Sequence, residues 1–116
     1  MKRDMDLFRE ILLEAEKVPS SEMWPAEPLL GYNMRDVVAH IELLRDAGLV
    51  DTRTRGNQGM ILRITNEGHD FLEESRQQTR WETAKSKTKE LGVPVTISVL
   101  KSILTELINH TITKGF

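Results

Sequence analysis

The stretch RDVVAHIELLRDAGLVDTRTRGNQGMILRITNEG, Arg35 to Gly68, decides the fold. Met34, Val37, Val38, Ile41 and Leu44 recur at three- and four-residue steps, which predicts a helix from Asn33 to Ala47 with one apolar face. Asn33 is suited to cap its first amides, and Gly48 to end it in the left-handed conformation. Leu49–Thr54 and Met60–Ile64 then read as two strands around a turn at Gly56-Asn57-Gln58-Gly59. Thr65 opens the next helix. Helix, hairpin and helix in that order form the sequence imprint of a winged helix, with the hairpin as its wing.

Working toward the N-terminus, Asp4–Lys17 predicts a helix with Leu7, Phe8, Ile11, Leu12 and Ala15 as its apolar stripe and Asp4 as its cap. Pro19 stops it, because proline disfavours helical geometry in the residue before it. Pro25 and Pro28 exclude a long helix over residues 20–33. Leu29-Leu30 reads there as a short edge strand, and Trp24 as a loop residue tucked against the first helix.

Toward the C-terminus, the helix capped by Thr65 reads through to about Leu91, with Phe71 and Leu72 inward and Trp81 either a cap over the core, the favoured reading, or an interface anchor. At about 1.5 Å per residue such a helix outruns a small domain, so its second half must project or find a partner. Gly92-Val93-Pro94 is a stop. Thr96 or Ser98 caps a last helix to about His110, whose stripe of Ile97, Leu100, Leu104, Leu107 and Ile108 is close to a coiled-coil seam. The expected class is therefore α+β and mostly helical: a winged helix with an added C-terminal helix. Residues 1–73 would form the winged-helix core and residues 74–116 a helical extension within the same domain.

Composition narrows function by exclusion. There are no cysteines, which removes disulfide staples, thiolate catalysis and cysteine-ligated zinc. No apolar run approaches the ~20 residues of a membrane span. The charged opening Met1-Lys2-Arg3-Asp4 does not read as a secretory signal, so the expected compartment is the cytoplasm. Net charge is −2, so no global field draws the chain to nucleic acid. The charge is nevertheless uneven: residues 1–50 hold ten acids against six bases, and residues 51–116 hold eight acids against ten bases. The bases collect on the hairpin (Arg53, Arg55, Arg63) and along the following helix (Arg76, Arg80, Lys85, Lys87, Lys89), with Glu82 opposing.

The opening Met1-Lys2-Arg3-Asp4-Met5-Asp6-Leu7, the phrase His40-Ile41-Glu42-Leu43-Leu44, then Ala47-Gly48-Leu49, and the run Leu62 to Leu72 (LRITNEGHDFL) resemble an uncharacterised bacterial and prophage family, domain of unknown function 2513. Trp81 and Lys85 fit the same resemblance, which covers nearly the whole chain. It implies a winged-helix-like fold and a phage association. It brings no site residues with it.

Two binding functions follow. In the first, the protein is a DNA-binding transcriptional regulator. Arg53 and Arg55 share a parity on one strand and so project from one face, with Arg63 joining them and Lys85, Lys87 and Lys89 adding phosphate contacts. Against it, the outward side of the Asn33–Ala47 helix carries Arg35 against Asp36, Glu42 and Asp46, a poor match for phosphate. The helix that should precede it in a helix-turn-helix is also missing from the proline-containing segment. In the second, the protein docks on another protein, and the acidic face around Leu43 suits a basic partner. The stripe of Leu100, Leu104 and Leu107 is either a homodimer interface or folds back to complete the core.

Enzyme chemistry is not expected, and neither is a cofactor. His40, His69 and His110 lack metal-ligand spacing. His69-Asp70 is a pair of helix neighbours that point apart. His40 lies at the edge of a core face, where a hydrogen-bonded structural role is the expectation. Gly56–Gly59 serves turn geometry and is too short to cradle phosphate.

Overall fold

The computed structural model describes residues 1–19, 21–29, 31–55 and 58–114, with side chains described for all of these except residues 54–55, 58 and 111–114. Among the described residues the order is α1 (Met5–Glu16), β1 (Trp24–Pro25), α2 (Met34–Asp46), β2 (Val50–Arg55), β3 (Gln58–Ile64), α3 (Asn66–Ser75), α4 (Gln78–Leu91) and α5 (Ile97–Lys114). The class is α+β, with a small antiparallel sheet ordered β1-β3-β2. Two compact units divide inside α3: Met1–Asp70 and Phe71–Phe116.

In the first unit, α1 and α2 begin on side-chain caps. Asp4 Oδ1 accepts from the Asp6 and Leu7 amides at 2.9 and 3.3 Å, and Asn33 Oδ1 accepts from the Asp36 amide at 2.8 Å. Leu7, Phe8, Ile11 and Leu12 of α1 are buried, as are Val37, Ile41 and Leu44 of α2, and the two helices pack together. Met34 lies off that face and is 44% exposed, contrary to the sequence periodicity. It sits in the first turn of α2.

The first strand is displaced from its expected place. Leu29 makes only an isolated bridge to Tyr32, and Leu30 lies outside the described residues. The pairing strand is instead Trp24–Pro25, with Trp24 opposite Ile61 and Pro25 opposite Met60. Proline is tolerated because β1 is an edge strand and owes no amide to a second neighbour. Trp24 is therefore a buried strand residue and not a loop residue.

The β2–β3 ladder carries one irregularity, and it sets which side chains face outward. Thr52 pairs with Ile61 and Arg53 with Met60, but Asp51 pairs with Arg63 and Val50 with Ile64, leaving Leu62 as an extra residue. In an unbroken register Ile64 would share the face of Leu62. The bulge turns Ile64 inward against Val50 and Arg63 outward beside Asp51. Ile61 and Ile64 are accordingly both buried, while Leu62 and Arg63 are both exposed. The turn residues Gly56 and Asn57 lie outside the described residues.

The junction after β3 is the tightest packing in the unit. Gly48 ends α2 at φ +78°. The Thr65 amide donates to the Leu49 carbonyl at 2.9 Å. The Thr65 hydroxyl donates to the Gly48 carbonyl at 2.6 Å and accepts from the Gly68 amide at 3.0 Å, which caps α3. One side chain thus stitches the end of α2 to the start of α3. A Cβ on Gly68 would stand 2.1 Å from the Leu49 oxygen and 2.6 Å from Ile64 Cγ2, so the position admits glycine alone.

The long helix expected from Thr65 to Leu91 is two helices. α3 stops at Ser75, Gln77 is extended (φ −72°, ψ 121°), and α4 restarts at Gln78. Packing supplies the reason. Phe71 and Trp81 meet edge to face with ring centroids 6.1 Å apart. On a straight helix residues ten apart are separated by about 15 Å along the axis, so that contact requires the break. Trp81, Ala84 and Thr88 then form the buried stripe of α4. α5 packs against α4, is capped by the Thr96 hydroxyl on the Val99 amide at 3.1 Å, and extends past His110 to Lys114. Leu100 and Leu104 are fully buried.

Glycine-to-alanine changes inside helices ordinarily stabilise by up to about 1 kcal/mol. At Gly68 the sign is expected to reverse. Gly68→Ala must displace the Leu49 backbone, and urea unfolding is expected to show a loss of about 1–3 kcal/mol. Unchanged or increased stability would refute the close approach.

Candidate nucleic-acid interface

Directly paired residues of an antiparallel ladder share a face, so Asp51, Arg53, Met60 and Arg63 project together from the outer side of the hairpin. Two of the three hairpin arginines are brought together there. They are not equivalent. The Arg63 Nε lies 2.6 Å from Asp51 Oδ2, which cancels its charge locally. Arg53 is exposed, and no acid pairs with it among the described residues. The Arg55 side chain lies outside the described residues. The sequence reading groups Arg63 with Arg53 but does not reveal that Asp51 neutralises it, because that pairing depends on the bulge that shifts the register by one.

The bases of α4 divide similarly. Lys85 pairs with Glu82 at 3.2 Å and lies 5.8 Å from the centre of the Trp81 ring, with its side chain only 21% exposed. Lys87 and Lys89 are exposed. These lysines belong to the second unit and the arginines to the first.

The outward side of α2 matches its sequence projection. Arg35, Glu42 and Asp46 are exposed, and Asp36, Ala39 and Leu43 are half-buried. Arg45 lies 3.6 Å from Asp46. The face retains its acidic excess.

Within the Leu100, Leu104 and Leu107 stripe the first two residues form no surface. Leu100 and Leu104 have no exposed area to offer a partner, and Leu107 is half-buried. The interface expectation at the first two is corrected to core: the break before α4 turns Trp81, Ala84 and Thr88 inward, and α5 lays its leucines against that helix.

Two features escaped the sequence reading. One is an open groove of about 440 Å³ between the end of α1 and the sheet, with an apolar floor that includes Ala15, Trp24, Ile61 and Ile64. Glu16, Glu22, Arg63 and His69 rim it, and all four are exposed. Among the described residues no three acidic or histidine side chains group as a metal site. No described helix is long and apolar enough to cross a membrane.

The other is a buried polar cluster at the start of α1. The Tyr32 hydroxyl donates to Asp4 Oδ2. The Asp4 amide donates to His40 Nε2 at 2.9 Å, and His40 Nδ1 lies 2.8 Å from the Asp36 carbonyl. A carbonyl only accepts and an amide only donates, so His40 carries its proton on Nδ1 and is neutral. Phe8 covers the ring, with centroids 4.9 Å apart. His40 Nε2 thus ties the start of α1 to α2 while Nδ1 fixes the ring on the backbone of α2 itself, and His40 serves structure, as its place at the edge of the core face suggested.

These are the parts of a small α+β protein whose ionisable groups lie mainly on its surface. The chain belongs to the family described as hypothetical protein (DUF2513), which it matches over residues 2–94. It is also 28% identical over 116 residues to an uncharacterized protein of Haemophilus influenzae, spanning 95% of this chain and 98% of that relative. No solved structure matches.

The hydrogen bond to Asp4, then partial burial, then the charges of Asp4, Asp6 and Asp36 push the Tyr32 hydroxyl up from 10.0 to about 12. A raised folded-state pKa stabilises the fold fully below pH 10.0, and the contribution is lost as pH climbs toward about 12. Tyr32 is the single tyrosine, so an ultraviolet absorbance titration reads it directly. The expected midpoint is near 12, falling toward the ordinary value in Asp4→Asn. A midpoint near 10 in the unaltered protein would remove the cluster from the account of α1 docking.

Proposed function

We propose that this protein is a non-enzymatic, winged-helix-type binding module that contacts DNA through its β2–β3 hairpin and acts as a transcriptional regulator, consistent with a prophage origin. The observation that carries the reading is Arg53 standing exposed on the outer hairpin face next to a helix that leads directly into that hairpin. The order helix, edge strand, helix, hairpin, with the strands arranged β1-β3-β2, supports the winged-helix assignment. One helix, α2, stands between β1 and β2 among the described residues where a helix-turn-helix uses two. With that unit shortened and α2 acidic outside, the hairpin is the element suited to phosphate or a minor groove. Lys87 and Lys89 would add a second basic patch. The open groove, with its exposed rim, serves contact and not chemistry.

Protein docking is the second reading. It is favoured by Glu42, Asp46 and Asp36 around the half-buried Leu43, which present negative charge to a basic partner.

Fluorescence anisotropy on duplex DNA across a salt series separates the two. Arg53→Ala is expected to weaken binding and to lower the salt slope by about one. Arg63→Ala should change little, because Asp51 already neutralises it. Asp51→Asn should free Arg63 and tighten binding several-fold. Absence of DNA affinity at low salt would overturn the regulator reading in favour of docking. Equal losses from Arg53→Ala and Arg63→Ala would refute the assignment of the contact to Arg53.

A further inference from the structure

The second unit leaves one apolar surface uncovered. Leu91, at the end of α4, is 66% exposed, and Val93 just beyond it is 39% exposed. Beside them α4 and α5 enclose an open groove of about 460 Å³, lined by Leu91, Ile103 and Leu107 with Lys87, Glu106 and His110 at its rim. Exposing a leucine to this degree beside an apolar hollow is unfavourable in water. Lys87 and Glu106 are both exposed, and neither is drawn into an ion pair among the described residues.

From this we propose that the α4–α5 face is a homodimer interface, in which Leu91 of each copy enters the groove of the other and Lys87 meets Glu106 across a two-fold axis. The rim is what selects a second copy as the occupant. It carries one base and one acid side by side, so its formal charge cancels, and it offers little to a strongly charged partner. A two-fold operation brings each patch onto itself, setting the Lys87 of one copy on the Glu106 of the other at two symmetric places while each Leu91 enters the facing groove. Apolar centre and complementary charged rim are the usual anatomy of a protein interface. The proposal stands whether or not the hairpin binds DNA, but it withdraws Lys87 from the second basic patch and leaves Lys89 there, and it moves self-association from Leu100 and Leu104, which are buried, to Leu91, Ile103 and Leu107.

Light scattering coupled to size exclusion, run over a concentration series on the full chain, tests it. The monomer is 13.3 kDa, and the expected mass is twice that at high concentration. Leu91→Asp is expected to halve the mass while leaving helical content unchanged and melting at the temperature of the unaltered chain diluted to monomer, since the residue is largely exposed within one copy. Lys87→Glu and Glu106→Lys should each give monomer at concentrations where the unaltered chain is dimeric. The double variant Lys87→Glu/Glu106→Lys should restore the dimer. A monomeric mass for the unaltered chain throughout the series overturns the proposal. So does a dimer indifferent to Leu91→Asp, or a double variant that remains monomeric when both singles do.

Discussion

The approach of the α3 backbone to the Leu49 carbonyl constrains everything that surrounds it. Thr65 spans the ends of α2 and α3 with one amide and one hydroxyl, and that reach is possible only because residue 68 has no Cβ. The hairpin leaves from Leu49 and returns to Thr65, so the same contact closes its base. Once the base is closed, Val50 faces Ile64 and the ladder must absorb one extra residue before Ile61 can also turn inward. The Leu62 bulge is the consequence, and it is the bulge that sets Arg63 on the outer face beside Asp51. A packing constraint at the floor of the hairpin thereby decides the electrostatics of its surface.

Counting charges without partners overstates the basic character of the chain. Three arginines on the hairpin and three lysines on α4 read as a generous complement for phosphate. Asp51 removes Arg63 from that count, and Glu82 does the same to Lys85. Of those six, the ones left exposed and without an acidic partner among the described side chains are Arg53 in one unit and Lys87 and Lys89 in the other. Exposed ion pairs contribute little to stability, typically below about 1 kcal/mol, but they alter what a partner meets. The proposed DNA contact is narrow for this reason, and the acidic outer face of α2 keeps protein docking as its competitor.

Polar groups hold the N-terminal helix alongside its apolar stripe. His40 spends both ring nitrogens on backbone groups of Asp4 and Asp36, and Tyr32 binds the carboxylate that also caps α1. Asp4 thus takes part in a helix cap, a tyrosine contact and a histidine contact. This gives a physical role to an aspartate that stood out in the sequence only as part of a recognisable opening phrase.

Local signals settled a good deal from the sequence alone. The caps at Asp4, Asn33 and Thr65, the stop at Gly48 and the apolar stripes of α1 and α2 depend on neighbours within a few residues, and each is found where the residue chemistry required it. The family resemblance was likewise carried by short phrases. Other features rest on contacts distant along the chain and took form only in three dimensions. Trp24 became a strand because Ile61 lies opposite it, although a proline follows. The helix expected from Thr65 to Leu91 divides because Phe71 and Trp81 must touch. The spacing of Ile61 and Ile64, three apart in a strand, held a legible hint of the bulge. Its effect on Arg63 was not legible, because the pairing with Asp51 depends on the register of two strands. Helical periodicity marks an apolar face without saying what covers it, and so the choice between core and interface for Leu100 and Leu104 belonged to the tertiary structure.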